Sequence, residues 1–475
     1  MATTTQETTQ LGPQAGYRSL NQEIAVDAIE VEGNLPSWLS GSLLRNGPGL
    51  YEAGDRSVNH WFDGQAMLHR FTLADGGVSY ANRFLQTKSY QAMRAGKPAL
   101  SEFATDPCRS IFKRLMTVFD PQVTDNSAVS LATLGDRHYA MTEAPISVQF
   151  DPHTLETLGV SDRYPGTFAT AHPHRDPDNG ALINVATRMG PRNSYRFFVH
   201  APGQRPRVLA TKGVSRPGYV HSFAMSQRYI ALTEFPFTVN SIEIPLSGRP
   251  FIENFRWHPE RATRILVFDR HTGKKIGTYE TEAGFAFHHV GAWDEDGRLV
   301  MEYCDHGSPE IIDAFYIERL RRARAGDFRP QPRLRRVVVD LDQRTTSTEY
   351  RSQEVIELPR INEQSYLRPY RFVYGLGTTA ENNYDTADRL VKIDNESGDA
   401  AVWHEPAAYV GEPVFVPSPE SNAEDDGVIL SVVLDAGRDR SYLLALDARS
   451  MTELARAYAP HVIPFGFHGQ FYPET

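Results

Sequence analysis

The chain has 475 residues, of which 40% are hydrophobic and 23% charged, with a formal net charge of -10. That composition suits a soluble globular protein, as two or three ordinary domains or one large β architecture. The acidic balance, with a basic run only from Arg319 to Arg324, argues against nucleic acid as a partner.

At the N-terminus, MATTTQETTQLGPQAG has no apolar core segment and reads as a flexible arm over residues 1–15 rather than a signal peptide. Short β-type runs with turn chemistry then recur along the chain. One pattern repeats: two or three apolar residues, an aspartate, then a Thr/Ser/Gly turn. Its copies centre on Asp75 (the loosest), Asp151, Asp269, Asp340, Asp394 and Asp447. Aspartate caps its own turn through its carboxylate, so each copy predicts an outer β-hairpin. Neighbouring copies lie 76, 118, 71, 54 and 53 residues apart. If the interval of 118 covers two units, the period is about 60 residues, giving roughly seven units and suggesting propeller blades. A large β-sandwich with generic hairpins fits the same pattern.

Helical segments are few. DPCRSIFKRLMTVF carries a helical stripe of Ile111, Phe112, Leu115, Met116 and Phe119. SPEIIDAFYIERLRRARAG predicts one helix with Ser308 as N-cap, Pro309 in the first turn and Gly326 ending it. Its arginines then read as helix-end charges. Two cysteines, Cys108 and Cys304, form no disulfide framework and no CxxC pair, so a reduced, cytoplasmic setting is expected. No run of about 18 apolar residues exists to span a membrane.

Four of the 16 histidines share a setting, an apolar or small approach followed by a sharp or aromatic exit. They are His172 in FATAHPH, His221 in GYVHSF, His288 in FAFHHVGAW and His468 in FGFHGQ. Their separations of 49, 67 and 180 residues approximate one, one and three units of the repeat. Equivalent positions on different blades converge on the propeller axis, where imidazoles would suit Fe, Cu, Ni or Zn. Four separate core histidines, each with its own hydrogen bonds, are the alternative.

The motifs RNGPGLY, NHWFDGQAMLH, FATDPCRSIF, MTEAP, TAHPH, VHSFAMS, FHHVGAWDEDG, ELPRIN, EPVFVP, AEDDGVILSVV and PFGFHG occur in that order. This series resembles the carotenoid cleavage oxygenases, from about Pro36 onward. The resemblance implies an all-β, seven-bladed propeller over residues 16–475, with a few helices and loops capping the iron-bearing face. It implies one non-haem Fe(II) per chain, held by His172, His221, His288 and His468, with no organic cofactor. In the His288–His289 pair, the family pattern points to the first. Three family carboxylates that orient ligand imidazoles match Glu143, Glu357 and Glu412. One departure is Gly291-Ala-Trp-Asp294, where relatives usually show Asn-Ala-aromatic-Glu.

The residue types suit that chemistry. Neutral imidazoles bind through one nitrogen while a carboxylate holds the other N–H, fixing the tautomer and adding compensating charge. The implied reaction is O2-dependent cleavage of a conjugated C=C bond of a carotenoid or apocarotenoid, giving retinal-type aldehydes, with central 15,15' cleavage favoured. Stilbene-cleaving relatives usually carry a lysine just before the first of these glutamates, where this chain has Thr142. A non-oxidative retinoid isomerase and a catalytically silent propeller remain alternatives. A water-insoluble substrate would come from a membrane, with PFTVNSIEIPLSG and the Ile111–Phe119 stripe offering an apolar rim at its inner face.

Overall fold

A computed structural model describes residues 12–97, 103–105, 124–322, 331–420 and 423–474. Its strands form seven antiparallel sheets arranged as the blades of a propeller, with two further two-stranded ribbons. The fourth blade shows the plan: Ala224–Met225, Tyr229–Glu234, Thr263–Asp269 and Lys275–Thr281, in chain order across the sheet. Tyr229–Glu234 is buried at every position, whereas Lys275–Thr281 alternates. Inner strands lie between two neighbouring blades and so must be apolar on both faces, while outer strands meet water on one.

The ring closes at two places. The first blade runs Ile24–Val26, Gly77–Phe84, Gln65–Ala74, Gly41–Leu50 and, innermost, Gly469–Pro473. The seventh contains Gly427–Asp435, Arg440–Asp447 and Glu453–Tyr458, and takes Val31–Gly33 onto its outer edge. Each chain end therefore completes a blade begun at the other. The core is a set of clusters between successive blades: Leu43, Phe71 and Phe471 pack on Leu430 and Leu443 between the first and seventh. Leu44 and Leu68 pack on Val148 and Phe150 between the first and second.

The aspartate turns fall where the repeat places them. Oδ1 of Asp151 accepts the amides of His153 and Thr154, both at 2.8 Å. Oδ1 of Asp269 accepts the Thr272 amide at 2.7 Å, Asp340 that of Gln343 at 2.8 Å, Asp394 that of Glu396 at 3.0 Å and Asp447 that of Ser450 at 2.7 Å. Asp75 instead adopts φ 50°, followed by Gly76 at 74°, in a tight hairpin. The long interval does hold two units: in the third blade the outer hairpin joins Ser194–His200 to Arg207–Gly213 without an aspartate.

The single helix expected over 308–326 is not formed. Two short helical pieces, Ile311–Ala314 and Ile317–Leu320, are separated by Tyr316 at φ -65° and ψ 130°. Tyr316 makes an antiparallel bridge with His60, an extended geometry that no helix allows. The cap position is Glu310, with no side-chain cap bond, rather than Ser308. Arg319 and Arg321 do stand at the end of the second piece, in its last turn and at its C-cap, and each also has an acidic partner: Arg319 pairs with Asp385 at 2.8 Å and Arg321 with Glu52 at 2.6 Å. The Ile111–Phe119 stripe, Cys108 and Gly326 lie outside the described residues. Cys304 is buried and free. Residues 13–17, at the end of the expected arm, form a short 3-10 helix with Tyr17 buried. Among the described residues, no helix is long and apolar enough to cross a membrane.

Candidate metal centre and substrate cavity

Each blade delivers one of the seven residues singled out from sequence to the axis. His468 directly precedes the innermost strand of the first blade, and His172 lies between Phe168–Ala169 and His174–Arg175 of the third. His221 precedes Ala224–Met225 of the fourth, and His288 precedes His289–Glu295 of the fifth. Glu143 follows Arg137–Met141 of the second, Glu357 opens Glu357–Arg360 of the sixth, and Glu412 lies between Ala408–Val410 and Val414–Pro417 of the seventh. The expected steps of one, one and three blades between the histidines are thus the observed ones.

The approach of His468 needs glycine on both sides. A Cβ on Gly469 would lie 2.6 Å from the Leu44 carbonyl oxygen, and one on Gly466 would lie 2.9 Å from that of Asn46. Here the reason is close backbone contact rather than an unusual φ.

The four imidazoles converge. Ring nitrogens of His172, His288 and His468 all lie within 4.8 Å of one another. His221 joins them through its Nε2, 3.1 Å from Nε2 of His172, and its ring centroid is 5.0 Å from that of His288. His289 faces elsewhere: Nδ1 meets Ser222 Oγ at 2.8 Å and Nε2 meets Thr233 Oγ1 at 2.9 Å. Both its nitrogens are occupied, so His288 alone of the pair is free to ligate.

Carboxylates back three of the rings. Nδ1 of His221 lies 2.7 Å from Glu143 Oε1, Nδ1 of His288 2.6 Å from Glu357 Oε2, and Nδ1 of His468 2.7 Å from Glu412 Oε1. Among the described residues, no carboxylate backs His172. Burial pushes His172 and His221 below the usual histidine range, and pushes His468 down to about 4 despite the opposing pull of Glu412. Burial alone would raise Glu357 and Glu412. The bonds and charges of His288 and His306 on one, and of Arg360, His468 and Arg45 on the other, outweigh it and hold both below the usual carboxylate range. In its neutral form, each ring would donate Nδ1–H to its carboxylate and leave a bare lone pair on Nε2. Nε2 of His288 and Nε2 of His468 are then opposed at 3.2 Å, an arrangement that is repulsive unless a cation lies between them. The donor set therefore fits a metal ion.

Four further residues belong to this centre and were not singled out from sequence. Arg45 Nη1 donates to Glu412 Oε2 at 2.6 Å, and Arg360 Nε donates to Oε1 at 2.9 Å. Tyr219 donates its hydroxyl to Glu143 Oε1 at 2.7 Å, sharing that oxygen with His221. His306 Nε2 donates to Glu357 Oε1 at 2.9 Å, while its buried Nδ1 has no partner. Arg45, Arg360 and Tyr219 fall inside the motifs RNGPGLY, ELPRIN and GYVHSF, so their positions were visible although their roles were not. His306, in CDHGSP, carried no local signal. The departure at Gly291–Asp294 has local reasons. A Cβ on Gly291 would lie 2.6 Å from Tyr370, whose hydroxyl reaches Glu302 at 2.6 Å. Asp294 accepts from Ser226 Oγ at 2.7 Å, tying the fourth blade to the fifth.

The centre opens onto a cavity of about 1040 Å³, at the upper end of the usual range for ligand sites. Trp61, Phe62, Phe287, Phe315 and Phe467 line it beside His221, His288 and His468. Some of these rings meet edge to face, as with Phe62 and Phe467 at 5.2 Å between centroids. Thr142, 8% exposed, also lines the wall.

Comparison with known proteins agrees with this geometry. Residues 17–473 match the family described as retinal pigment epithelial membrane protein. A carotenoid isomerooxygenase of Galleria mellonella is 34% identical over 96% of this chain and 96% of that protein. A beta,beta-carotene 15,15'-dioxygenase of Rattus norvegicus is 31% identical over 96% of this chain and 91% of the relative. The structure of cobalt-substituted Synechocystis ACO superposes with a TM-score of 0.85 at 27% identity, covering 97% of this chain and 98% of that one. From the blades, the histidine cluster and these matches together, the chain belongs to the carotenoid oxygenase family and is an enzyme of it.

Proposed function

We propose that the protein is a non-haem Fe(II) dioxygenase that cleaves a conjugated C=C bond of a carotenoid or apocarotenoid with O2, giving aldehydes, with central 15,15' cleavage of a full-length carotenoid. The observation that carries this reading is a four-imidazole centre, three of its rings fixed by carboxylates, opening directly into a large cavity lined by aromatic rings. His172, His221, His288 and His468 would hold one iron, which when bound supplies O2 activation beside the alkene. Glu143, Glu357 and Glu412 hold the Nδ1–H of their partners and so keep each Nε2 aimed at the axis. Phe62, Phe287 and Phe467 exclude water and bury the polyene, worth about 25 cal/mol per Å² of apolar surface. The likeness to the 15,15'-dioxygenase of Rattus norvegicus supports the central position.

Thr142 supports a polyene over a phenolic stilbene, because a hydroxyl cannot make the charge-assisted contact that a lysine makes with a phenolate. The substrate would be drawn from a membrane through the segment at 242–246, where Ile242 and Leu246 are 66% and 62% exposed. Metal analysis of natively expressed protein, with O2-dependent bleaching of β-carotene against resveratrol, tests the reading. About one iron per chain and faster turnover of the polyene are expected. Stoichiometric zinc in active protein, or faster stilbene turnover, would refute it.

A further inference from the structure

One side of the cavity wall carries four arginines, and the acid nearest them in the lining, Glu143, is already held by His221 and Tyr219. Arg163, Arg188, Arg196 and Arg249 all line it. They share one rim: Arg196 Nη1 donates to the Pro165 carbonyl at 3.2 Å, and the Phe168 ring packs 4.4 Å from that of Phe251, two residues beyond Arg249. Ser241 Oγ, bonded to Asn193 Oδ1 at 2.8 Å, ties the same segment to the loop that follows Arg188. Among the described residues, none of the four guanidinium groups pairs with a carboxylate. Arg196 is half-buried, and its Nε is fully buried without a partner.

The remainder of the cavity is different. Arg389 pairs with Glu354 at 2.6 Å, and Asp385 with Arg319 at 2.8 Å. Of the exposed acids near the rim, Glu243 accepts from Asn240 Nδ2 at 2.7 Å, and Asp162, next to Arg163 in the chain, acts on His200. In a chain of net charge -10, a rim of unpaired guanidinium groups next to an aromatic cavity implies a ligand with its own negative charge. A hydrocarbon carotenoid offers nothing to a planar fork of donors, whereas a carboxylate matches it in shape and charge.

We propose that this rim recognises the carboxylate of an acidic apocarotenoid, whose polyene lies among the aromatic rings while the acid group is held by Arg196 and Arg249 at the rim. The inference rests on the polyene reading above and narrows it to one substrate class. An anionic phospholipid headgroup is the competing occupant. It is disfavoured because the orphaned Nε of Arg196 is buried within the wall rather than presented on the exposed tip that bears Ile242 and Leu246.

The test uses apocarotenoids of one chain length as acid, aldehyde and alcohol, in detergent without phospholipid, on iron-loaded enzyme. Binding is read separately from quenching of tryptophan fluorescence by retinoic acid and by retinol, since Trp61 lines the cavity. KM and the dissociation constant should each favour the acid by at least about tenfold, as expected for one charge-assisted pair. The preference should weaken with added salt, fall towards one in Arg196→Met and Arg249→Met, and survive in part in Arg196→Lys. Because Arg249 is exposed, its variant keeps the experiment informative if Arg196→Met fails to fold. Equal constants for acid and alcohol would overturn the inference while leaving the dioxygenase intact. Tighter binding of retinoic acid with no cleavage of any polyene would uphold the rim and remove the activity. Arginine variants that lose only anionic-vesicle binding, with acid preference unchanged, would assign the rim to a headgroup and overturn the proposal.

Discussion

Glu412 and Glu143 hold equivalent imidazoles under different conditions. Glu412 is 1% exposed and also neutralises Arg45 and Arg360, both largely buried. Glu143 is 20% exposed and, among the described residues, its side chain otherwise meets only the Tyr219 hydroxyl. Glu412→Gln should therefore leave buried guanidinium charge unpaired and cost about 3–5 kcal/mol of stability. Glu143→Gln should instead lower metal occupancy or turnover about 10–100-fold with little change in melting temperature. Glu357→Gln should share that loss of occupancy. Metal content and thermal melting of the three variants check this, and equal melting losses would contradict it. Two histidines away from the centre set an acid limit. Burial pushes His60 and His69 down to about 3, whereas the unfolded chain titrates near about 6.5. The unfolded chain thus takes up protons first, so stability that is complete above about pH 6.5 is lost as pH falls towards 3. Each group should cost about 2 kcal/mol at pH 5. His69→Gln should reduce the slope of unfolding free energy against pH by one proton between pH 6.5 and 5, as measured by urea titration. An unchanged slope would reject this role.

The aspartate hairpins were legible because every part of the signal is local. In the turn at Asp269, Oδ1 accepts from the Thr272 amide and hydroxyl, each at 2.7 Å, three residues away. Gly273 then takes φ 71° with the Leu209 carbonyl oxygen pressed against the space a Cβ would need. Asp269→Ala should cost about 1 kcal/mol, the usual value of one such capping group. Gly273→Ala should cost more, because it adds a clash with the neighbouring blade to backbone strain. Urea unfolding of the two variants gives the comparison, and a milder Gly273→Ala would contradict it. The broken helix was not legible for the opposite reason. Its pattern from Ile311 to Leu320 is helical, and what interrupts it is the pairing of Tyr316 with His60, a contact between distant segments that outweighs local preference. His306 and the arginine rim were hidden in the same way, since their meaning depends on partners in other blades. The four histidines and three glutamates escaped that limit only because their motifs occur together and in order.

Across the whole molecule, closure of the ring and completion of the metal centre depend on one short segment. Gly469–Pro473 pairs with Gly41–Leu50, and His468 immediately precedes it. A chain ending before Gly466 should lose a ligand, leave the buried edge of the first blade open, and fail to unfold cooperatively or retain metal. Size-exclusion chromatography and metal analysis would show this, and a compact, metal-bound truncated protein would refute it. The order of synthesis gives that arrangement a further consequence. Gly41–Leu50 is translated early and must wait, one edge unsatisfied, while six other blades are made. An exposed strand edge is a template for pairing with another chain, so the nascent protein carries a risk of misassembly until its last strand is made. The same delay keeps an unfinished chain from presenting four converged imidazoles, so the proposed oxygen-activating centre can form only once the ring that encloses it is complete.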